Sequence, residues 1–200
     1  MHLGHLLVAE AAREAAGLDQ VRFVPVARSP FKPDGPLASD RQRLEMLRLA
    51  LAGHPAFEAC DLEIQRAGVS YTVDTLSALS EQNPQASLFL ITGSDSASQL
   101  HRWKDARRIC QLAIPLVAAR QGSPFDPGQL ADLAEPSRLE EIRRFSFAFP
   151  IIELSSTDVR ERLANGQGIR YRVPRSVECY IENARLYQTG RLPNSPATES

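Results

Sequence analysis

The sequence predicts an α/β fold built on a doubly wound parallel sheet, and three observations carry that prediction. Short β-rich runs alternate with amphipathic helical stretches along the chain, the pattern of parallel strands joined by crossover helices. One run, Leu88-Phe89-Leu90-Ile91, is apolar without interruption, as expected of a strand buried on both faces. Polar segments follow directly after strands, Gly93-Ser94-Asp95 after one and Ser155 to Arg160 after another. Ligands bind at such strand exits in sheets of this kind.

Leu6 to Ala16 has helical spacing, and Gly17 is a natural residue to end it. Val21 to Pro25 reads as a short strand stopped by proline, followed by a long polar loop, Arg28 to Pro36. Ser39-x-x-Gln42 is a capping box for a helix through Leu44, Leu47 and Leu51, which Gly53 and Pro55 close. Phe57 to Ile64 alternates like a strand, and Tyr71 to Thr75 opens a helix running to Asn83-Pro84. A helical piece with Trp103 follows the apolar run, then a strand from Ile114 to Ala119 and a Gly/Pro/Asp loop. Leu130 to Arg144 reads as mostly helical and Ile151 to Leu154 as a last strand. Ser155 to Gly166 and the stretch from Pro174 to Leu186 are the closing helices. Residues 1–190 are expected to form one domain, with a helical portion at 156–188 and a disordered tail at 191–200.

Composition narrows the class of partner. The 200 residues include 23 basic and 24 acidic ones, so no global field draws the protein to nucleic acid or membrane. Any phosphate chemistry must be local. Lys32 and Lys104 are the only lysines among the basic residues. Three scattered cysteines, in no C-x-x-C pattern, fit neither a disulfide framework nor a zinc site, and a reducing cytoplasm is the expected setting. No apolar run approaches membrane-spanning length.

Two segments have the makings of anion sites. His2-Leu3-Gly4-His5 puts two imidazoles on one face at the mouth of a helix, with a glycine that permits close approach to the backbone. Free N–H groups and the positive end of the helix add to them. Ser155-Ser156-Thr157-x-x-Arg160 supplies hydroxyls, a helix start and a guanidinium. Alone, the histidine segment reads equally well as a frayed chain start with surface histidines, and the Ser155 to Arg160 segment reads better as a plain capped helix with a solvent arginine. His54 and His101 lack partners at metal spacing and read as surface residues.

Taken together, H-x-G-H near the start and S-S-T-x-x-R near the end resemble the nucleotidylyltransferase superfamily. Arg43 to Leu47, Gly68 to Thr75, the Trp103 segment and Arg170 to Pro174 are similar in order and spacing to its bacterial nicotinate-nucleotide adenylyltransferases. The resemblance spans residues 1 to about 188. It implies a Rossmann-like doubly wound sheet of the nucleotidylyltransferase type. The implied reaction is adenylyl transfer from ATP to nicotinate mononucleotide, giving deamido-NAD and pyrophosphate, with Mg²⁺ bound through the ATP phosphates and no metal ligand from the protein. His2, His5 and Arg160 would be catalytic. Gly4, Gly93, Asp95, Ser156, Thr157 and Lys32 would bind ATP, and Tyr71, Thr72 and Trp103 would hold the mononucleotide. A homodimer is compatible with the resemblance.

Three departures stand out. The family has a strand and a Gly-Gly-x-Phe-Asp-Pro loop ahead of the histidines, so the sheet is expected to lack its first strand and the working protein to begin upstream of Met1. Phe31 stands for the histidine of a P-P-H-K loop, and Lys104 for an aromatic residue after the tryptophan. Two other readings stay open: an adenylyltransferase with nicotinamide mononucleotide or another phosphorylated acceptor, and an inactive nucleotide-binding remnant.

Overall fold

A computed structural model describes residues 1–31, 37–120, 122 and 124–187. Helix α1 (Leu3–Ala16) starts where His2 is extended and stops at Gly17, whose φ of 63° is a left-handed turn that glycine makes without strain. It buries Ala9 and Ala12 and packs on β4 (Ile114–Arg120) and β5 (Phe147–Phe149). Between them in sequence lie β1 (Val21–Phe23), α2 (Asp40–Leu51), β2 (Phe57–Ala59), α3 (Leu62–Arg66), α4 (Thr72–Gln82) and β3 (Phe89–Gly93). Then come α5 (Ser94–Ser98), α6 (Ala106–Leu112) and α7 (Pro136–Phe145), and after β5 follow α8 (Ser156–Ala164) and α9 (Arg175–Asn183). The capping box of α2 forms as the sequence predicts, with Ser39 Oγ accepting from the Gln42 N–H and Gln42 Oε1 from the Ser39 N–H.

The strands are parallel, and they form two sheets. β1 pairs β2, with Val21 opposite Phe57. β3, β4 and β5 form the other sheet in that order, with Phe89 opposite Ile114 and Ala118 opposite Phe147. Among the described residues no strand joins the two sheets. This corrects the reading of residues 88–91 as buried on both faces. Leu116 and Val117 of the central strand β4 are 0% exposed, whereas every residue of β3 retains partial exposure or more, because β3 has a strand on one side only.

Three element boundaries also differ from expectation. The strand at 57–64 is only three residues long. Its partner β1 ends at Phe23, two residues before Pro25, which has no N–H to offer, and after the Cys60 N–H donates to Phe23 O the chain turns into α3. The last strand lies at Phe147–Phe149 and not at 151–154. Its pairing with β4 ends at Arg120, and Pro150 follows, so residues 151–154 have no strand to bond. Of residues 130–144 only those from Pro136, which begins α7, are α-helical, while Leu130 closes a 3₁₀ turn that starts at Pro127.

Two hydrophobic clusters hold these elements. Val73, Leu76, Leu100, Ile109, Val117 and Ile142 belong to one, between the three-stranded sheet and its helices. Met46, Val159, Ile169, Val173, Val177 and Ile181 form the other, where α2, α8 and α9 meet. Among the described residues no helix is long and apolar enough to cross a membrane.

Candidate active site

The first candidate anion site takes its shape from the start of α1. The imidazoles of His2 and His5 lie with centroids 3.7 Å apart. The His2 N–H donates to His5 Nδ1 at 3.3 Å, and the His5 N–H returns a bond to His2 O at 3.0 Å. Since His5 Nδ1 accepts, its proton sits on Nε2, which is left as a donor. His2 is 8% exposed, and its Nδ1 is buried without a hydrogen-bond partner. Burial first, then repulsion from His5, lowers the pKa of His2 to about 4. Burial lowers that of His5 as well. At neutral pH both rings are therefore uncharged donors. Gly4 has a nearer task than admitting a ligand: a Cβ there would lie 3.1 Å from His2 Nδ1 and 3.2 Å from Cε1, so the glycine makes room for the folded-over His2 ring.

The second site is the start of α8. Ser155 caps it, its hydroxyl accepting from the Asp158 N–H at 3.0 Å. Arg160 donates to the Thr157 hydroxyl at 3.1 Å. A cavity of about 480 Å³ brings the two sites together, lined by His2, His5, Ser156 and Arg160 and floored by Met46, Val159, Val177 and Ile181 of the second cluster. Thr157 is not in its wall and joins it through Arg160. A second cavity, of about 250 Å³, lies on the other side of the histidines between Gly4, Ala118, Phe149 and Ile152.

Two residues that sequence reasoning did not place at the site hold this arrangement. The carbonyl of Arg172 accepts from the Leu3 N–H at 2.9 Å, and its guanidinium donates to Asp158 at 2.6 Å. One residue thus ties the starts of α1 and α8. Arg43, in the cavity wall, donates to the Val26 and Ala27 carbonyls and fixes the chain leaving β1. Both belong to stretches that carry the family resemblance, but only tertiary contacts show what they touch.

The other predicted residues that the structure describes line neither cavity. Tyr71 and Trp103 lean on the first cluster, with Thr72 opening α4 beside them, and none of the three lines either cavity. Gly93 ends β3 opposite Ala118, a wall residue of the smaller cavity, and Asp95 follows in the first turn of α5. Lys32 lies outside the described residues. His101 is exposed as expected. His54 departs from its surface reading: its Nε2 is 3.1 Å from Glu10 and its ring stacks on Phe57 at 3.7 Å, joining α1 to the turn before β2. Among the described residues no group of three His, Cys, Asp or Glu side chains could hold a metal ion.

Residues 1–162 match the cytidylyltransferase-like family. Two relatives named "Probable nicotinate-nucleotide adenylyltransferase" align over most of both chains. That from Rhodopirellula baltica is 41% identical over 189 residues, covering 94% of this chain and 88% of the relative. That from Roseiflexus castenholzii is 42% identical over 190 residues, covering 94% and 92%. The chain belongs to the nicotinate-nucleotide adenylyltransferase family. The family's fold is the one observed: a solved nicotinic acid mononucleotide adenylyltransferase from Plasmodium falciparum, complexed with NaAD, superposes with a TM-score of 0.70 at 16% identity, covering 94% of this chain and 91% of that one. In this family member the paired histidines and the Ser156 to Arg160 turn, opposite ends of the sequence, face one cavity.

Proposed function

We propose that the protein transfers the adenylyl group of ATP to nicotinate mononucleotide, releasing pyrophosphate and forming deamido-NAD, in a cytoplasmic setting. The observation that carries this reading is the cavity shared by His2, His5, Ser156 and Arg160, together with the names of the relatives. In this reaction a phosphate oxygen of the mononucleotide forms a bond to the α-phosphorus of ATP while the bond from that phosphorus to the bridging oxygen breaks. No protein nucleophile is needed, because the acceptor brings its own. What the protein must supply is in-line placement and donors aimed at the charge that accumulates on the bridging and leaving oxygens.

The residues suit that task. His5 offers Nε2–H to a phosphate oxygen without a change of tautomer. Being uncharged in the free protein, the histidines act as hydrogen-bond donors, and the cationic charge comes from Arg160 and the start of α8. Ser156, Thr157 and Arg160 would grip the leaving phosphates, Gly4 would keep the His2 ring in place, and Gly93 and Asp95 would border the ribose. Trp103, Tyr71 and Thr72 would hold the pyridine ring. His2, His5, Ser156 and Arg160 are donors to phosphate, which fits a metal ion that arrives on the nucleotide. Mg²⁺ so bound withdraws charge from the phosphate oxygens.

The test is direct. Protein incubated with ATP, Mg²⁺ and nicotinate mononucleotide should release pyrophosphate and yield deamido-NAD, with a kcat/KM well above that for nicotinamide mononucleotide. Equal kcat/KM for the two mononucleotides would remove the nicotinate assignment, and ATP binding without turnover of either would remove the enzyme reading.

A further inference from the structure

We propose that Lys104 is a positioning residue for the ring-binding half of the site: its ammonium latches the Trp103 segment to the first turn of α4 and so sets the space between Trp103 and the Tyr71-Thr72 turn. The nature of the ligand rests on the adenylyltransferase reading; the latch itself rests on geometry. Lys104 Nζ donates to both carboxylate oxygens of Asp74, at 3.3 and 3.2 Å. The same nitrogen lies 4.3 Å from the centre of the Tyr71 ring. Asp74 is in the first turn of α4 and Tyr71 is its N-cap, so one ammonium grasps a single helix start by two different interactions.

The backbone presents Lys104 to that helix start. The Trp103 N–H closes a 3₁₀ turn on Leu100 O at 2.9 Å, and Asp105, at φ 49°, reverses the chain into α6. Trp103 and Tyr71 lean on the same cluster, so fixing Lys104 on Tyr71 also fixes the separation of the two rings. The pair is too exposed, with side chains 50% and 39% accessible, to contribute much to stability. Its consequence is geometric, and it falls on ligand affinity. An aromatic ring in place of Lys104 could cover Tyr71 but could not bond Asp74.

Trp103 is the only tryptophan, so its fluorescence reports the latch without any turnover. In Lys104→Met, acrylamide quenching of Trp103 should rise, and nicotinate mononucleotide, titrated by the same fluorescence, should bind about 3–10-fold more weakly, the scale of an exposed charge pair with an added cation–π contact. KM for ATP should not move. Lys104→Arg should restore binding to within about two-fold, and high salt should weaken binding to the wild type more than to Lys104→Met. Unchanged quenching or unchanged affinity in Lys104→Met would overturn the latch. So would a loss confined to nicotinate mononucleotide with nicotinamide mononucleotide unaffected, because the ammonium would then touch the substrate carboxylate itself. If the wild type neither binds nor converts either mononucleotide, the adenylyltransferase reading falls, and the quenching measurement still decides whether Lys104 constrains Trp103.

Discussion

The proposed phosphate side and the proposed ring side of the site are held in different ways. On the phosphate side the contacts that fix geometry run largely through main chain: Leu3 N–H to Arg172 O, His2 N–H to His5 Nδ1, Asp158 N–H to Ser155 Oγ. On the ring side they run between side chains, Lys104 to Asp74 and Lys104 over Tyr71. The supports differ too, since the phosphate cavity is floored by the α2, α8 and α9 cluster while Tyr71 and Trp103 lean on the sheet cluster. Side-chain donors held by main-chain bonds are in place before a ligand arrives and need little reorganisation, which suits stabilisation of a charged transition state. Side-chain fastenings can be altered one residue at a time, which suits the choice of acceptor.

The sharpest way to break this contrast is at His5. His5→Ala should lower kcat by about 10²–10³-fold, the scale of losing one preorganised donor, while the KM for the mononucleotide changes little in steady-state pyrophosphate release. A comparable rise in that KM would merge the two sides into one. Next in size are the supports. Ile142→Ala and Val177→Ala, both at residues 0% exposed, should each cost about 2–4 kcal/mol in urea unfolding, and only Val177→Ala should also weaken ATP binding. Trp103→Ala should raise the mononucleotide KM about ten-fold, in keeping with the loss of one aromatic stack, and leave the KM for ATP unaltered.

Smaller effects sharpen the phosphate side. The pKa of His2 is about 4 in the folded protein against an ordinary 6.5. Between these values the unfolded chain holds a proton on this ring that the folded chain lacks, so protonation favours unfolding. The stabilisation is complete above pH 6.5 and is lost as pH falls toward 4. Tm should drop across that window, and His2→Gln should flatten the drop. Arg172→Met should raise the KM for ATP only about 2–5-fold, as it removes a partly exposed ion pair and keeps the carbonyl that Leu3 uses. A loss in kcat as large as that of His5→Ala would show that the guanidinium does more than hold α8.

The locally determined features were legible in the sequence. The Ser39-Gln42 box, Gly17 at the end of α1 and the Ser155 cap depend on neighbours within a few residues, and they form as read. The helix starts at both candidate anion motifs were legible too, because a helix start is set by the residues next to it. Strand limits were not, because a strand lasts only as long as its partner: β2 stops with β1 and β5 stops with β4, although the apolar residues run on. What Arg172, Arg43 and Lys104 touch escaped for a related reason. Each acts on a segment distant in sequence, and no local pattern records that.

The bond from the His2 amide to His5 has a further consequence. An imidazole in water exchanges its proton freely between two nitrogens, and a site that relied on the correct form would be competent only part of the time. Here a peptide group occupies one nitrogen, so the ring has a single protonation pattern as long as the helix start keeps its shape. A change that frays this turn would disarm the ring while leaving every side chain in the sequence intact.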